Sequence, residues 1–433
     1  MKKILHHESE IRGSDILIVG YGREGESVHR YIIKNYPKMR VSIADQNSVA
    51  PLFPVVKMYS GKQWLSSLDN FQTVVRSPGV PDTILELVSY KAKGGFVTSS
   101  ANIFFSRTKQ MVIGVTGTKG KSTTTSLIAH LLSQKMADVR VVGNIGKPVL
   151  DYIEDETKET IYVFEMSSHQ LADIRYSPQI AIILPVVSEH LDYYGSFEKY
   201  YEAKARIVLF QTKKDSVIYN KDDKTAREIA QRSLARKIAY NTESGKTYAN
   251  APLLGNKENI MAAFACCAIF SLSSKDIEKG LFTFVPLPHR LEFVGKYKGI
   301  RFYNDSLATI PEATIHAIQS LGDKTETLIA GGFDRGVSYE KLVEFLVHSS
   351  IKTIILMGQT GKKLAIMLRS NKESHMNIIE ASSMEAAIRA AYKNTKEGKI
   401  CVLSPAATSF DQYKDYKDRG EQFATWVRRV AAE

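Results

Sequence analysis

The feature that most constrains this chain is a glycine- and lysine-rich run at 117–123, directly after the apolar stretch 111–116. Glycines let a backbone turn tightly around an anion, N–H groups of the turn and of the following helix point at it, and Lys121 adds positive charge. The strict phosphate-loop pattern needs glycine at position 115, where this chain has valine, so the run matches a shortened form. Apolar residues at 127, 128, 131 and 132 have the spacing of one helical face. The pattern predicts a strand, loop and helix that bind a nucleotide triphosphate.

Length and composition limit the classes of protein that remain. With 433 residues, 44% hydrophobic and 24% charged, the chain is too long for one hydrophobic core and suits a globular protein of two or three domains. It contains no run of eighteen apolar residues and its start turns polar early, so we expect no membrane insertion and a cytoplasmic location. The net charge of +12 comes from scattered residues, which favours small anionic substrates over nucleic acid. Cys266, Cys267 and Cys401 lack metal-ligand spacing and are expected in the core.

A second glycine-rich loop follows the apolar run 16–19. Gly20, Gly22 and Gly25 form a G-x-G-x-x-G pattern that includes Tyr21, and Asp45 ends the next strand-like run, where a ribose-binding acid lies in a dinucleotide fold. Taken alone, this pattern indicates NAD. The same geometry binds any nucleotide diphosphate, and the glycines can also serve only the turn, so the ligand of this loop stays open.

Strand-like and helix-like patterns alternate along the rest of the chain. Apolar runs recur at 160–164, 180–184, 216–219, 327–330, 353–356 and 400–403, and helical patterns separate most of them. This alternation predicts an α/β protein with three parallel sheets in series: a Rossmann-like first domain, a central P-loop ATPase-like domain and a Rossmann-like last domain. A connector before residue 111 and the proline-containing segment 284–290 predict domains at 1–107, 108–287 and 288–433.

Polar residues follow two of the central strands. Glu165 comes just past one strand, where a metal-binding acid would lie opposite the phosphate loop. His190 follows the next strand and is a candidate ligand for metal or phosphate, although a lone histidine more often makes a structural hydrogen bond. Asp192 beside it is more often a helix cap than a ligand.

Several short motifs also occur in a fixed order along the chain. The central ones are the loop at 117–123, Asn-Ile-Gly at 144–146, Glu-Met-Ser-Ser-His-Gln-Leu at 165–171, Glu-His-Leu-Asp at 189–192 and Glu-Ala-Lys-Ala-Arg at 202–206. Downstream follow Leu-Pro-His-Arg-Leu-Glu at 287–292, Tyr-Asn-Asp-Ser at 303–306, Ala-Gly-Gly-Phe-Asp-Arg-Gly at 330–336 and Leu-Ser-Pro-Ala-Ala-Thr-Ser-Phe-Asp-Gln-Tyr at 403–413. Together they resemble the ATP-dependent Mur ligases of peptidoglycan synthesis over essentially the whole chain. The resemblance is strongest to the members that add glutamate to UDP-N-acetylmuramoyl-L-alanine.

The resemblance implies roles for the residues that match it. Lys121, His190 and Lys204 are the implied catalytic residues. ATP would contact Gly117, Thr118, Lys119, Gly120, Lys121, Ser122, Thr123, Asn259, Arg290 and Asp305. Two Mg²⁺ ions would be held by Ser122, Thr123, Glu165, His190 and Lys204, with Lys204 as a carbamate because a plain lysine cannot bridge Mg²⁺ as a carboxylate does. UDP, in place of NAD, would contact the first loop, and the UDP substrate as a whole would contact Gly20, Tyr21, Gly22, Gly25, Asp45, Asn144 and Ser167. Glutamate would contact Thr309, Arg335, Ser409 and Tyr416.

The reaction implied by the resemblance is amide ligation through an acyl phosphate. The terminal phosphoryl group of ATP would pass to the L-alanyl carboxylate, and the amine of glutamate would then attack that carbon. Three domains would collect the UDP substrate, ATP and glutamate and close over them, which excludes water. The resemblance also implies a monomer.

The chain departs from the family pattern at a few positions. Leu307 stands where these ligases usually have lysine, so L-glutamate remains an alternative to D-glutamate. Glu189 replaces the common aspartate, and the segment 254–259 lacks the usual histidine near Asn259. A folylpolyglutamate synthase is disfavoured, because that resemblance would not include the first glycine-loop domain. An NAD-binding oxidoreductase or a nucleotide-binding protein without enzyme activity is the more remote alternative.

Overall fold

The computed structural model describes residues 10–189, 191–241, 257–285, 288–371 and 373–433. Two compact units, 1–284 and 285–433, divide the chain. The first unit contains two β-sheets and the second unit one. The predicted α/β class and the series of three sheets are confirmed, whereas the domain boundaries at 107 and 287 stay predictions. His190 lies outside the described residues.

The first sheet has five parallel strands and follows the glycine loop at 20–25. Its elements are β1 (Asp15–Val19), α1 (Arg23–Asn35), β2 (Arg40–Ala44), β3 (Met58–Tyr59), β4 (Thr73–Arg76), α2 (Leu85–Ala92), β5 (Val97–Thr98) and α3 (Ser100–Arg107). The strand order is β3-β2-β1-β4-β5, all parallel. Because the order reverses between β1 and β4, a crevice forms beyond the carboxyl ends of these two strands.

The second sheet has six parallel strands around the phosphate loop. Its elements are β6 (Met111–Thr116), α4 (Lys121–Leu132), β7 (Asp138–Gly143), β8 (Thr160–Glu165), α5 (Ser168–Leu171), β9 (Ile180–Ile183), α6 (Leu191–Tyr194), α7 (Phe197–Leu209), β10 (Ser216–Asn220), α8 (Lys224–Gln231), β11 (Arg236–Tyr240), α9 (Lys257–Ile269) and α10 (Ser274–Thr283). The order is β11-β10-β9-β6-β8-β7. Leu127, Ile128, Leu131 and Leu132 of α4 are fully buried, which confirms the predicted helical face.

The third sheet forms the second unit. Its elements are β12 (Glu292–Tyr297), β13 (Ile300–Asn304), α11 (Pro311–Leu321), β14 (Thr325–Gly331), α12 (Glu340–Val347), β15 (Thr353–Met357), α13 (Gly358–Ser370), β16 (Asn377–Glu380), α14 (Met384–Asn394), β17 (Ile400–Leu403) and α15 (Tyr416–Ala432). The order is β12-β13-β17-β14-β15-β16.

This third sheet is mixed, which corrects the prediction of a parallel one. Strand β12 pairs with β13 in antiparallel register, while the other strands pair in parallel. Lys298 and Gly299 connect the two strands with φ angles of 48° and 78°. Two successive residues with positive φ are typical of a two-residue hairpin turn, and such a turn leaves no room for the crossover helix that a parallel pair needs.

The apolar interior accounts for the cysteines. Cys266, Cys267 and Cys401 are free and fully buried, as predicted, and burial raises the pKa of each thiol. Among the described residues, no helix has the length and apolar character needed to cross a membrane.

Candidate functional site

The phosphate loop connects β6 to α4 in the second sheet. Gly120 caps α4 with a φ of 82°, and a β-carbon there would lie 2.2 Å from Oδ1 of Asn259, so only glycine fits. Asn259 itself is buried and its Oδ1 accepts a hydrogen bond from Oγ1 of Thr124 at 3.2 Å. On the other side of the loop, the Thr118 backbone N–H donates to the Pro185 carbonyl at 2.9 Å. These contacts fix the loop at the positive end of the helix dipole.

Two lysine side chains converge on this loop. Lys121 Nζ donates to the carbonyl oxygens of Gly117 at 3.0 Å and Thr118 at 2.8 Å. Lys204 Nζ, from α7, donates to the same Gly117 oxygen at 2.8 Å and is buried. Burial and the nearby charge of Lys121 lower the pKa of the Lys204 amine well below its usual value. The loop therefore has a concentration of positive charge that suits a polyanion, and a second amine for which the neutral form is favoured.

A buried carboxylate with an unused oxygen follows β8. Glu165 is 1% exposed, and its Oε1 accepts a hydrogen bond from Nδ2 of Asn144 at 3.1 Å. Its Oε2 has no hydrogen-bond partner in the described structure. A buried carboxylate oxygen is costly unless a cation or a donor reaches it, so this oxygen fits a hard cation such as Mg²⁺. Ser122 and Thr123 occupy the first turn of α4, on the loop side.

The described residues do not complete a metal centre by themselves. No group of three or more histidine, cysteine, aspartate or glutamate side chains with metal-binding geometry occurs among them. His190, one of the predicted ligands, lies outside the described residues. The other predicted ligands provide hydroxyl, carboxylate and amine groups around one loop. They are Ser122, Thr123, Glu165 and Lys204.

A cleft of about 530 Å³ lies between the first and second sheets. Five of the predicted substrate residues line it: Gly20, Gly22, Asp45, Asn144 and Ser167. Two do not. Tyr21 is in the core, where its hydroxyl contacts Nδ1 of His29 at 2.8 Å, and a β-carbon on Gly25 would lie 2.3 Å from the Gly20 carbonyl oxygen. Tyr21 and Gly25 therefore shape the loop from inside.

Asp45 accepts backbone hydrogen bonds at the base of this cleft. Its Oδ2 accepts from the Tyr21 N–H at 2.8 Å, and its Oδ1 accepts from the Asn47 N–H at 2.9 Å. The carboxylate thereby stabilises the turn and leaves negative charge on the cleft wall. Its place at the end of β2 is the one that the sequence pattern predicted.

Two residues of the glycine loop that sequence reasoning missed reach across to the second sheet. Arg23 Nη2 donates to the Gly146 carbonyl at 2.7 Å. Glu24 accepts hydrogen bonds from Ser100 Oγ at 2.7 Å and from Gln170 Nε2 at 3.4 Å. Burial raises the pKa of Glu24. Arg23 and Glu24 occupy variable positions of G-x-G-x-x-G, to which the pattern gives no role. Their charge was the only feature of the sequence that could have indicated a function for them.

In the second unit, the predicted ribose anchor Asp305 follows β13. It is 6% exposed, and it accepts hydrogen bonds from Ser404 Oγ at 2.8 Å and from the Leu291 N–H at 3.1 Å. Burial raises the pKa of Asp305 to about 7, although its hydrogen bonds and the charge of Arg290 oppose the rise. Arg290 has a buried Nη1 without a partner in the described structure, and its neighbours His289 and Leu291 have φ angles of 64° and 45°. Strained backbone around an unpartnered guanidinium nitrogen is typical of a ligand contact.

Three of the four predicted glutamate residues lie on loops that follow strands of the third sheet, and the fourth, Tyr416, begins α15. Ser409 is buried, Thr309 and Tyr416 are half-buried, and Arg335 is exposed. The Phe333 N–H donates to the Thr408 carbonyl at 2.8 Å, which joins the loop after β14 to the loop after β17. Leu307 is half-buried, and its backbone N–H donates to the His289 carbonyl at 3.0 Å.

These features define an ATP-type phosphate-loop protein in which a glycine-loop cleft borders the phosphate site. Residues 115–276 match the family model described as the Mur ligase middle domain, and residues 289–407 match the Mur ligase, glutamate ligase domain. The chain is 32% identical over 453 residues to the UDP-N-acetylmuramoylalanine--D-glutamate ligase of Clostridioides difficile (strain 630), covering 97% of this chain and 100% of the relative. It is also 32% identical to the protein of the same name from Ligilactobacillus salivarius (strain UCC118), covering 98% of each. The chain belongs to the Mur ligase family.

Solved structures agree on the fold. The UDP-N-acetylmuramate-alanine ligase MurC of Thermotoga maritima matches with a TM-score of 0.61 at 16% identity, covering 97% of this chain and 100% of that one. The MurF ligase of Thermotoga maritima, in complex with ADP, matches with a TM-score of 0.56 at 17% identity, covering 99% and 97%. At these identities the likeness extends to the architecture alone.

Proposed function

We propose that this chain is an ATP-dependent ligase that joins D-glutamate to UDP-N-acetylmuramoyl-L-alanine in the synthesis of peptidoglycan precursors. The observation that carries the proposal is the position of Asn144, which lines the cleft and donates to Glu165 beside the phosphate loop. One amide side chain thus connects a UDP-substrate cleft to a triphosphate site, as phosphoryl transfer between the two ligands requires. We further propose that the enzyme acts in the cytoplasm as a monomer on these small molecules, without nucleic acid or membrane insertion.

The residues of the loop support the first half of the reaction. Lys121 and the N–H groups of the loop hold the phosphates of ATP and neutralise the charge that spreads over the transferring group. An oxygen of the L-alanyl carboxylate forms a bond to the terminal phosphorus while the bond from phosphorus to the ADP oxygen breaks. The product of this step is an acyl phosphate. Asn144 and Ser167, on the cleft wall, orient the substrate toward the loop.

The same site suits Mg²⁺ and a carbamate. Ser122, Thr123 and Glu165 would hold one ion, while His190 and a carbamate on Lys204 would hold the second. Bound Mg²⁺ supplies positive charge opposite the phosphate oxygens. The carbamate forms when the neutral Lys204 amine attacks CO₂ and loses a proton, and burial of that amine favours the neutral form. It gives Lys204 the oxygen ligands that Mg²⁺ prefers.

The second unit supplies the amino acid. Thr309, Arg335, Ser409 and Tyr416 would bind glutamate, with the Arg335 guanidinium facing the side-chain carboxylate. The glutamate amine attacks the acyl carbon, loses a proton and displaces phosphate, which leaves the amide. Asn259, Arg290 and Asp305 would contact ATP. D-glutamate is favoured because relatives at about 32% identity over their full length are named D-glutamate ligases, and Leu307 makes L-glutamate the alternative to test.

The decisive experiment measures phosphate release from ATP with UDP-N-acetylmuramoyl-L-alanine and either D- or L-glutamate, with NAD reduction followed in parallel. We expect release with D-glutamate, no release when either substrate is omitted, and no NAD reduction. Release with L-glutamate alone would overturn the choice of enantiomer. An enzyme preparation that releases no phosphate with either enantiomer would refute the ligase.

A further inference from the structure

Arg419 is a buried cation that forms no salt bridge with another described residue. It lies in the first turn of α15 and is 2% exposed. Its Nε donates to Ser306 Oγ at 3.0 Å, and its Nη2 donates to the carbonyl oxygens of Ser306 at 2.9 Å and Ala407 at 3.0 Å. Among the described residues, no carboxylate forms a salt bridge with it. Burial lowers the pKa of Arg419 to about 10. A desolvated guanidinium is costly when its hydrogen-bond partners are all neutral, and the nearby charge of Asp411 offsets that cost without a salt bridge.

One nitrogen of this guanidinium is unused. Nη1 is buried and has no hydrogen-bond partner in the described structure. A β-carbon on Gly332 would lie 3.1 Å from it, so Nη1 faces the loop that follows β14. Arg419 therefore contacts three separate loops. It lies itself on a fourth segment, the start of α15.

Those four segments carry the four predicted glutamate residues. Ser306 lies three residues before Thr309, and Ala407 lies two before Ser409. Gly332 lies three before Arg335, and Tyr416 lies three before Arg419 itself. The Ser306 hydroxyl also donates to the Tyr416 carbonyl at 2.8 Å, which closes the network. A single side chain thus fixes the spacing of all the segments that would bind the amino acid.

The loop after β17 needs such support. Ala406 has a φ of 57°, a left-handed conformation that is strained for a non-glycine residue. The Gly331 N–H donates to the Pro405 carbonyl at 2.8 Å on one side of it, and Arg419 bonds the Ala407 carbonyl on the other. These two contacts hold a strained turn immediately before Ser409.

We propose that Arg419 is the positioning residue of the amino-acid site: it holds the glutamate-binding loops in register, and its buried charge favours a dicarboxylate there. The planar fork of arginine presents donors to two loops at once, which the single nitrogen of lysine does not do. The proposal rests on the proposed ligase function, because it assigns Arg419 to the substrate that this function requires.

The test compares Arg419→Lys, Arg419→Met and Ser306→Ala with the parent enzyme in the phosphate-release assay. For Arg419→Lys and Arg419→Met we expect the KM for D-glutamate to rise about 10-fold or more, since charge-assisted hydrogen bonds are lost. The KM values for ATP and for the UDP substrate should stay within about 2-fold of the parent. Ser306→Ala, which removes one acceptor, should give a smaller rise in the same KM.

A matched control separates positioning from general stability. Thr395→Val removes buried hydrogen bonds from the Thr395 hydroxyl to Thr327 Oγ1 and to the Ala391 carbonyl, both at 2.7 Å, within the same unit. It should lower the thermal midpoint without changing the KM for D-glutamate. If the KM values for D-glutamate, ATP and the UDP substrate all rise together in the Arg419 variants, the effect is not specific to the amino-acid site. The positioning role is then refuted. If Arg419→Met does not fold, Arg419→Lys and Ser306→Ala decide the question. A parent enzyme that releases no phosphate with glutamate refutes the ligase function instead.

Discussion

The first unit contains two glycine loops that share one architecture and differ in charge. Each follows a central parallel strand and precedes a helix, β1 and α1 in one case, β6 and α4 in the other. Beside the loop at 20–25, a cleft of about 530 Å³ is lined by the carboxylates of Glu24, from the loop, and Asp45, from the end of β2. The loop at 117–120 instead has the Nζ atoms of Lys121 and Lys204 on its carbonyl oxygens. The strand–loop–helix connection is common to both, although the backbone differs where the helix begins, with φ −88° at Gly22 and 82° at Gly120. Since both loops can take a phosphate, the side chains around them matter for which ligand fits.

Several of those decisive side chains come from distant parts of the chain. Lys204 reaches Gly117 across 87 positions of sequence, and Glu24 meets Gln170 across 146. The phosphate loop thereby gains a buried amine for which the neutral form is favoured beside the charge of Lys121, while the carboxylate of the first loop gains an amide donor. A glycine motif therefore predicts where a ligand binds more reliably than it predicts which ligand binds.

The strongest test of the comparison removes the cation from the phosphate loop. Lys121→Ala should lower ATP turnover by about 100-fold to 1000-fold, because one preorganised charge contact to the transferring phosphoryl group is lost. Lys135→Ala is the control, since Lys135 is exposed, lies beyond the far end of α4 and pairs with Asp276 at 2.7 Å. Steady-state phosphate release checks both variants. Equal activity of the two variants would mean that the motif does not single out position 121.

The second test concerns the distant amine of Lys204. Lys204→Ala should reduce turnover by about 100-fold, and added acetate or formate should restore part of it, because a small carboxylate replaces the oxygens of the carbamate. Lys199→Ala, an exposed position on the same helix, is the control and should be unaffected. A Lys204→Ala enzyme as active as the parent would remove the carbamate. A loss that no carboxylate rescues would instead leave Lys204 as a loop-bracing amine.

Local patterns in the sequence predicted local structure well. The apolar run before Gly117 and the helical spacing after it are properties of neighbouring residues, and both appear in the structure as β6 and the buried face of α4. The hairpin of β12 and β13 depends on the left-handed turn at Lys298 and Gly299, which the alternation of strands and helices does not reveal. Arg419 and Glu24 were missed for a different reason. Arg419 contacts Ser306 across 113 positions and Glu24 contacts Ser100 across 76, and no periodicity encodes such contacts.

The third test weakens the first loop. Glu24→Ala should raise the KM for the UDP substrate about 10-fold and leave the KM for ATP unchanged, because it removes the hydrogen bond from Gln170 that joins the cleft walls and the one that Ser100 donates from α3. Arg30→Ala is the control: Arg30 joins the same helix to Asp151 at 2.7 Å but does not line the cleft. If both variants raise the KM for the UDP substrate equally, the effect comes from the contacts between the first and second sheets in general and not from the glycine loop.

The smallest effect concerns the charge of Glu24 itself. Because burial raises its pKa in the folded state, the unfolded chain loses this proton first as pH rises, so folding stability falls through that interval and levels off above the folded-state pKa. Glu24→Gln lacks this titration and should gain stability relative to the parent as pH rises from about 4 to 8, measured as the difference in urea unfolding midpoints. A difference in midpoints that stays constant across this range would show that Glu24 ionises normally in the folded state. Glu24 would then carry a full negative charge in the first loop, which would increase the contrast with the lysines of the second loop.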